Sequence, residues 1–258
     1  MFASVRALWR YRDLLVNLVL RDLRVKYKGS TLGFAWSLLH PLVMAGVYTV
    51  AFKLVLRVGI DRFPLFLLSG LLPWVFFAQA LSQATASVAD NGTLVRKVAF
   101  PRMALPLAAV ASQLVQFVLM YSVIVPLGAV FGGSLSPALL VVLPLVALQC
   151  LFTAGLALVL ATAYVHFRDT RHLLEVALQV WFWLTPIVYS LALVPEALRP
   201  WLSLNPMTAF VTAYQRAVLD QSLPGTTAMI GMTVVSAAAF LLGLAVFTKH
   251  ERRFAELV

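Results

Sequence analysis

Charge is what this sequence most lacks. Only 12% of its 258 residues are charged, and 62% are hydrophobic. Soluble domains carry about 25% charged residues, and a globule of this size cannot bury so large an apolar excess. The composition therefore excludes an ordinary soluble domain. It predicts an all-α integral membrane protein with a single transmembrane domain over residues 1–258.

Cysteine and buried acidic residues are scarce as well. Cys150 is the single cysteine, so an intramolecular disulfide is excluded. No predicted span carries Asp or Glu near its middle, since Glu175 lies at the end of the fifth span. Ion- and proton-coupled carriers usually need such a group at mid-depth. The sequence thus disfavours a proton-driven antiporter.

Metal and nucleotide sites are also not indicated. The four histidines are too dispersed along the chain to suggest a metal site. The run Lys-Gly-Ser-Thr at 28–31 lacks the upstream glycine and the residue order of a phosphate loop. We therefore expect no metal, no bound nucleotide and no catalytic residue in this chain.

Six apolar runs are long enough to cross a bilayer as helices, which takes about 20 residues. They cover 32–56, 63–86, 107–130, 138–163, 174–193 and 225–248. Fifteen Lys and Arg fall in the N-terminal segment, in alternate loops and in the tail, against four or five on the other side. This bias predicts a multi-pass inner-membrane protein with both termini in the cytoplasm. It also accounts for the net charge of +10, so we do not expect nucleic acid as a partner.

Two segments are not predicted to span. Residues 1–31 show a basic and an apolar stripe at helical spacing, which is typical of an interfacial amphipathic helix. The alternative for this segment is a simple orientation anchor. Residues 194–224 are interrupted by prolines, and Asn205-Pro206 is typical of a helix start. We predict short external re-entrant helices there, forming a gate-like segment before the last span.

Aromatic and amide side chains recur within the predicted spans. Aromatic rings at mid-depth suit the apolar faces of sugar rings, although an interfacial aromatic belt is the alternative. The glutamines are predicted to form hydrogen bonds between helices. They are Gln79, Gln83, Gln113, Gln116 and Gln149.

Short motifs follow one another along nearly the whole chain. They are RDLRVKYKGSTLG at 21–33 with Trp36 and Pro41 after it, GLLPW at 70–74, NGTLVRKVAFP at 91–101, FRD at 167–169, TPIVY at 185–189 and LNPM at 204–207. As an ordered set, they resemble the membrane subunits of bacterial type-2 ABC exporters for polysaccharide. These are the permeases that export O-antigen, capsule or teichoic acid.

The resemblance implies export of an O-antigen-like glycan on a polyprenyl pyrophosphate carrier across the inner membrane. It also implies a homodimer bound to two cytoplasmic ATP-binding subunits. Those subunits would hold ATP and Mg, so this chain would be a transporter without a cofactor of its own rather than an enzyme. The alternatives are a type-2 permease for a drug or other small hydrophobic cargo, and a polytopic enzyme acting on polyprenyl phosphates.

The resemblance further implies three groups of site residues. Basic residues at the lipid entrance would receive the carrier pyrophosphate: Arg21, Arg24, Lys26 and Lys28. Aromatic residues would line the channel: Trp36, Tyr48, Trp181, Trp183 and Tyr189. Coupling to the ATPase would involve Asn91, Thr93, Leu94, Arg96, Lys97, Phe100, Arg168 and Asp169.

Overall fold

The computed structural model of the chain is mainly helical over the residues that it describes. It describes residues 11–30, 33, 35–55, 57, 59–98, 100–124 and 140–257. The predictions for 1–10 and for the part of the third and fourth spans between 125 and 139 lie outside the described residues. No strand occurs within the described ranges, so the predicted all-α class is confirmed.

Eleven α-helices follow one another in the described part of the chain. They are α1 (Arg12–Tyr27), α2 (Ala35–Tyr48), α3 (Phe63–Asp90), α4 (Gly92–Lys97), α5 (Ala104–Tyr121), α6 (Val142–His166), α7 (Thr170–Trp183), α8 (Arg199–Ser203), α9 (Pro206–Gln215), α10 (Thr226–His250) and α11 (Phe254–Leu257). Wider π-helical turns extend α2 through Thr49–Val55 and α9 through Arg216–Asp220. Short 3₁₀ turns lie at Leu191–Leu193 and Glu251–Arg253.

Four of these helices are long and apolar enough to cross a membrane. They are α3, α5, α6 and α10. The first predicted span contains a shorter apolar helix, Leu39–Val55, and the fifth overlaps α7, which has 14 residues. A chain with several apolar helices is therefore confirmed, and the count of six crossings stays a prediction.

The fifth predicted span, 174–193, is α-helical only as far as Trp183. Pro186 provides the physical reason. A proline has no N–H to donate and disfavours helical geometry in the residue before it, here Thr185. The apolar run continues to residue 193, but the regular helix ends before the proline.

α3 is the central helix of the bundle. It packs against α5, α6 and α9, and 78% of its most apolar window is buried. The rings of Phe77 and Phe152 stack at 5.8 Å, and those of Phe76 and Phe117 at 5.3 Å. Such stacked pairs contribute stability beyond that of the buried apolar area. The first pair joins α3 to α6, and the second joins α3 to α5.

α6 makes its most extensive contact with α10. Gly155 lies against the backbone of Ala239, and Gly243 lies against the backbone of Gly155. A Cβ on either glycine would collide with main-chain atoms. Small residues at a crossing let helix backbones approach closely, as is common in membrane proteins. This crossing fixes the last long helix on the bundle.

One end of the bundle collects α1, α4 and α11, and we call it the α1 end. Leu18, Val95 and Phe254, one from each helix, are buried in the same apolar cluster. At the opposite end, Arg62 donates a 3.1 Å hydrogen bond to the carbonyl of Leu219. The segments with most Lys and Arg therefore gather at one end, and the 194–224 segment lies at the other.

Candidate functional site

A cleft of about 570 Å³ lies between α1, α3 and α5 at the α1 end. α1 is anchored beside it through Leu18, which is buried. The cleft has apolar side chains and a set of polar ones on its walls. The polar ones are Arg21, Asp22, Lys26, Gln83, Ser87, Asp90, Asn91, Ser112, Gln113 and Gln116.

A chain of hydrogen bonds crosses this cleft. Arg21 forms an ion pair of 3.0 Å with Asp22 and donates a 2.9 Å bond to Oδ1 of Asn91. Gln83 donates to the other oxygen of Asp22 at 3.3 Å. Gln113 in turn donates to Oε1 of Gln83 at 2.6 Å. One carboxylate thus links α1 to α3 and, through the paired amides, to α5.

Lys26 is the second cation of the cleft. Its ammonium donates to Oε1 of Gln116 at 2.5 Å, and no carboxylate forms an ion pair with it among the described residues. Partial burial of this ammonium lowers its pKa, because a desolvated charge is less stable than a hydrated one. An anion beside Lys26 would stabilise the protonated form, and the carboxylates of Asp22 and Asp90 also line this cleft.

Arg24 and Lys28 lie elsewhere on α1. Both are exposed, and they border a shallow depression that also includes Asn17, Leu20 and Leu23. Arg21 borders both this depression and the cleft. The structure therefore divides the four predicted entrance residues. Arg21 and Lys26 line the cleft, and Arg24 and Lys28 face outward.

The predicted channel aromatics occupy two kinds of environment. Trp181 packs edge-on against Phe77 at 5.2 Å, and Tyr48 stacks on Phe182 at 6.4 Å. Trp36 and Trp183 are each 52% exposed. Tyr189 donates to the carbonyl of Trp183 at 3.0 Å, which closes the turn after α7. The structure brings Trp181 and Tyr48 into the bundle and leaves Trp36 and Trp183 uncovered.

Asn205 connects the end of α7 to the start of α9. Its Oδ1 accepts bonds from the indole of Trp181 at 2.7 Å and from the backbone N–H of Met207 at 3.0 Å. Its amide nitrogen donates to the carbonyl of Leu184 at 3.2 Å and to Oγ1 of Thr185 at 3.0 Å. The predicted N-cap at Asn205 is confirmed. The same side chain also satisfies a carbonyl that the early end of α7 leaves free.

The predicted coupling residues divide between surface and interior. Thr93, Arg96 and Lys97 of α4 are exposed. Leu94 and Phe100 pack against the apolar cluster at the α1 end, and Asn91 turns toward Arg21. The exposed part of α4 is thus polar and basic.

The second predicted coupling contact lies in the turn between α6 and α7. Arg168 and Asp169 are exposed there, and the Arg168 guanidinium lies 5.2 Å from the ring of Tyr164.

Residues 14–219 match the profile described as ABC-2 type transporter. The chain belongs to the ABC-2 type transporter family. It is 34% identical over 260 residues, and over the full length of both chains, to the O-antigen export system permease protein RfbA of Myxococcus xanthus. It is 32% identical over 250 residues to RfbA of Klebsiella pneumoniae, with 95% of each chain covered. The polysialic acid transport protein KpsM of Escherichia coli is 20% identical over 240 residues, with 91% of this chain and 92% of KpsM covered.

As an ABC-2 transporter, the chain is a membrane subunit and not an enzyme, and ATP hydrolysis belongs to a separate subunit. The predicted resemblance to polysaccharide exporter permeases is confirmed by these relatives.

Sequence reasoning missed two polar contacts that join the helices of this ABC-2 transporter. Asp22, an acid next to the basic Arg21 of α1, was not predicted to join α1 to α3. Its partner Gln83 lies 61 residues away. Asn205 was predicted as a helix cap but not as the partner of Trp181. The predicted bonding of glutamines between helices is confirmed for Gln113 with Gln83 and for Gln149, which donates to the carbonyl of Pro73 at 2.9 Å.

Proposed function

We propose that this ABC-2 transporter exports an O-antigen-like glycan, linked to a polyprenyl pyrophosphate carrier, across the bacterial inner membrane. The observation that carries the proposal is the full-length similarity to the Myxococcus xanthus O-antigen export permease. The cleft beneath α1 supports it, because two cations face a space that is open to an anionic group.

The pyrophosphate of the carrier would bind in this cleft. Lys26 has no carboxylate partner among the described residues, and Arg21 shares its charge with one carboxylate. Hydrogen bonds from cations to phosphate oxygens are among the strong ones in proteins. Arg24 and Lys28 on the outer face of α1 would attract the anionic headgroup toward the cleft.

The proposed architecture is six crossings with both termini in the cytoplasm. α2 with its π-helical extension and α7 with the segment to residue 193 would supply the first and fifth crossings. α7 buries only two of its described side chains, Leu174 and Leu178. Val43 and Val47 on α2 and Leu173 on α7 are among the apolar side chains left exposed. These uncovered faces support a homodimer with the channel aromatics between the two copies. The aromatics are Trp36, Tyr48, Trp181, Trp183 and Tyr189.

Two cytoplasmic ATP-binding subunits, which hold ATP and Mg, would drive the transporter. α4 would dock in a groove of each as a short helix. Its exposed Thr93, Arg96 and Lys97 support this role, and Arg168 and Asp169 in the next turn would form a second contact. At the external side of the membrane, the segment 194–224 would gate the channel.

Deletion of this chain from its host tests the proposal. We expect loss of a surface polysaccharide and accumulation of its lipid-linked form at the inner face of the membrane. Both should be reversed when this chain is supplied again, and not when it is supplied to a host that also lacks its ATP-binding subunit. An unchanged surface glycan with new sensitivity to a hydrophobic drug would contradict the proposal and favour a permease for small hydrophobic cargo.

A further inference from the structure

The most buried long helix, α3, leaves one stripe uncovered. Away from its two ends, the positions of α3 that are not fully buried are 75, 78, 79, 82 and 83. Residues three and four apart share one face of a helix, so these five form a single stripe. Three of the five side chains are polar: Gln79, Ser82 and Gln83.

This polar stripe reaches deep into the bundle. Along the helix axis, Gln79 lies about 16 Å from Asp90, the last residue of α3. The hydrocarbon core of a bilayer is about 30 Å thick. Gln79 is exposed and makes no hydrogen bond to another described residue. An amide without a partner is unfavourable against hydrocarbon, so the stripe must face a polar occupant.

Three cavities that share lining residues lie along the stripe. The cleft beneath α1 includes Gln83 and Gln113. A cavity of about 280 Å³ shares Lys26 and Gln116 with that cleft, and Gln79 and Trp36 also line it. A third, of about 360 Å³, is bordered by Gln79, Ser82, Gln83, Gln113 and Arg171. We call the polar wall formed by Gln79, Ser82, Gln83, Gln113 and Gln116 the amide groove.

The chemistry of the amide groove distinguishes between possible occupants. An anion needs hydrogen-bond donors, and a cation needs acceptors. An amide supplies both a carbonyl acceptor and an NH₂ donor without net charge, and a hydroxyl also both donates and accepts. A neutral polyhydroxylated ligand therefore matches this wall better than an ion does. Trp36 at one side of the groove offers an aromatic face, which suits the apolar face of a sugar ring.

We propose that the amide groove binds the hydroxyl groups of the sugar units nearest the pyrophosphate, while Arg21 and Lys26 hold the pyrophosphate itself. This rests on the proposed function, and it names the group that the transporter recognises beyond the lipid carrier. The glutamines then act as a sugar subsite as well as contacts between helices. Trp181 has its indole N–H committed to Asn205, so that N–H is not available to this subsite.

Binding by the complete transporter, with its ATP-binding subunits, in detergent tests the proposal. The two probes are undecaprenyl pyrophosphate and undecaprenyl pyrophosphate that carries one N-acetylhexosamine. We expect Gln79→Leu to weaken binding of the glycosylated probe by about tenfold, the equivalent of one or two hydrogen bonds. The same variant should bind the bare carrier as the wild type does. Val118→Leu, at a 51% exposed apolar position on α5, should change neither affinity.

Each other outcome overturns a defined part of the proposal. Equal weakening for the two probes would make the groove a carrier site rather than a sugar subsite. Unchanged affinity for both would remove Gln79 from recognition while leaving the proposed function intact. Wild-type transporter that binds neither probe would contradict the proposed function itself.

A photo-reactive residue gives a second measurement that does not depend on affinity. Benzoylphenylalanine in place of Gln79 should form an adduct with the glycosylated probe, and the same residue in place of Val118 should not. An adduct between two copies of this chain, with none to the glycosylated probe, would show that the stripe is a subunit contact and would overturn the proposal.

Discussion

Trp181 and Asn205 are joined by a 2.7 Å hydrogen bond from the indole N–H to the side-chain carbonyl. The bond connects the last turn of α7 to the residue that caps α9. Both hydrogens and the carbonyl oxygen of the Asn205 amide are engaged. The Gln215 amide adds a 3.1 Å bond to the carbonyl of Pro186. At the end of α7, polar side chains of α9 and of its N-cap therefore replace the missing helical hydrogen bonds.

Asn205→Ala should destabilise the chain measurably. The change removes a helix cap, which costs about 1 kcal/mol, and leaves the partly buried indole N–H of Trp181 without its acceptor, which costs about 1–3 kcal/mol. Thermal unfolding of the purified complex, followed by tryptophan fluorescence, should show a lower midpoint. Asn17→Ala, on the exposed face of α1, is the matched control. Equal midpoints for the two variants would contradict this account of the α7–α9 junction.

Gly155→Ala should be far more harmful than Gly231→Ala. At Gly155 a new Cβ would collide with the backbone of Ala239, whereas nothing lies within 4 Å of the Cβ position at Gly231. Both glycines lie within long helices, where alanine is otherwise favoured by about 1 kcal/mol. The first variant should therefore lose folded protein, measured by size-exclusion yield and melting temperature, and the second should match or exceed the wild type. A stable Gly155→Ala variant would rule out the close crossing of α6 and α10.

Features determined by short stretches of sequence could be predicted, and features determined by packing could not. The start of α9 follows from Asn205-Pro206 because cap and proline act locally. The long apolar helices follow from composition, since a run of that length has few alternatives. Pro186 was present in the sequence, but the apolar run to residue 193 favoured a continuous span. Proline chemistry decided the helix end instead.

The cleft shows the same division. The basic residues of α1 could be predicted as a group, but the sequence does not say which of them face the bundle. That depends on how α1 rotates onto α3 and α5, which is determined by the burial of Leu18 and by contacts between residues far apart, such as Asp22 with Gln83. The amide groove could not be predicted either, because it exists only where partly uncovered positions of α3 meet the buried glutamines of α5.

Carrier binding should weaken as the solution becomes alkaline. Burial lowers the pKa of Lys26, so its ammonium loses the proton at a lower pH than an ordinary lysine. Only the protonated form attracts pyrophosphate, and affinity should therefore fall as the pH rises through this lowered pKa. Titration of undecaprenyl pyrophosphate onto the complex over a range of alkaline pH measures the effect. Lys26→Arg should bind without this decline, since a guanidinium stays charged throughout. The same decline in the arginine variant would assign the pH dependence to another group.

Charge reversal on α4 should uncouple the transporter from its ATPase. Arg96 and Lys97 are exposed beside the buried Val95, so the double variant Arg96→Glu with Lys97→Glu changes the surface of α4 without disturbing its packing. We expect the variant chain to insert normally but to lose most of the co-purifying ATP-binding subunit and the export of glycan. Lys53→Glu reverses an exposed charge on the extension of α2 and should retain both. If the α4 variant kept its ATPase partner and exported glycan at the wild-type rate, docking through α4 would be wrong, and the turn at Arg168 and Asp169 would become the next contact to reverse.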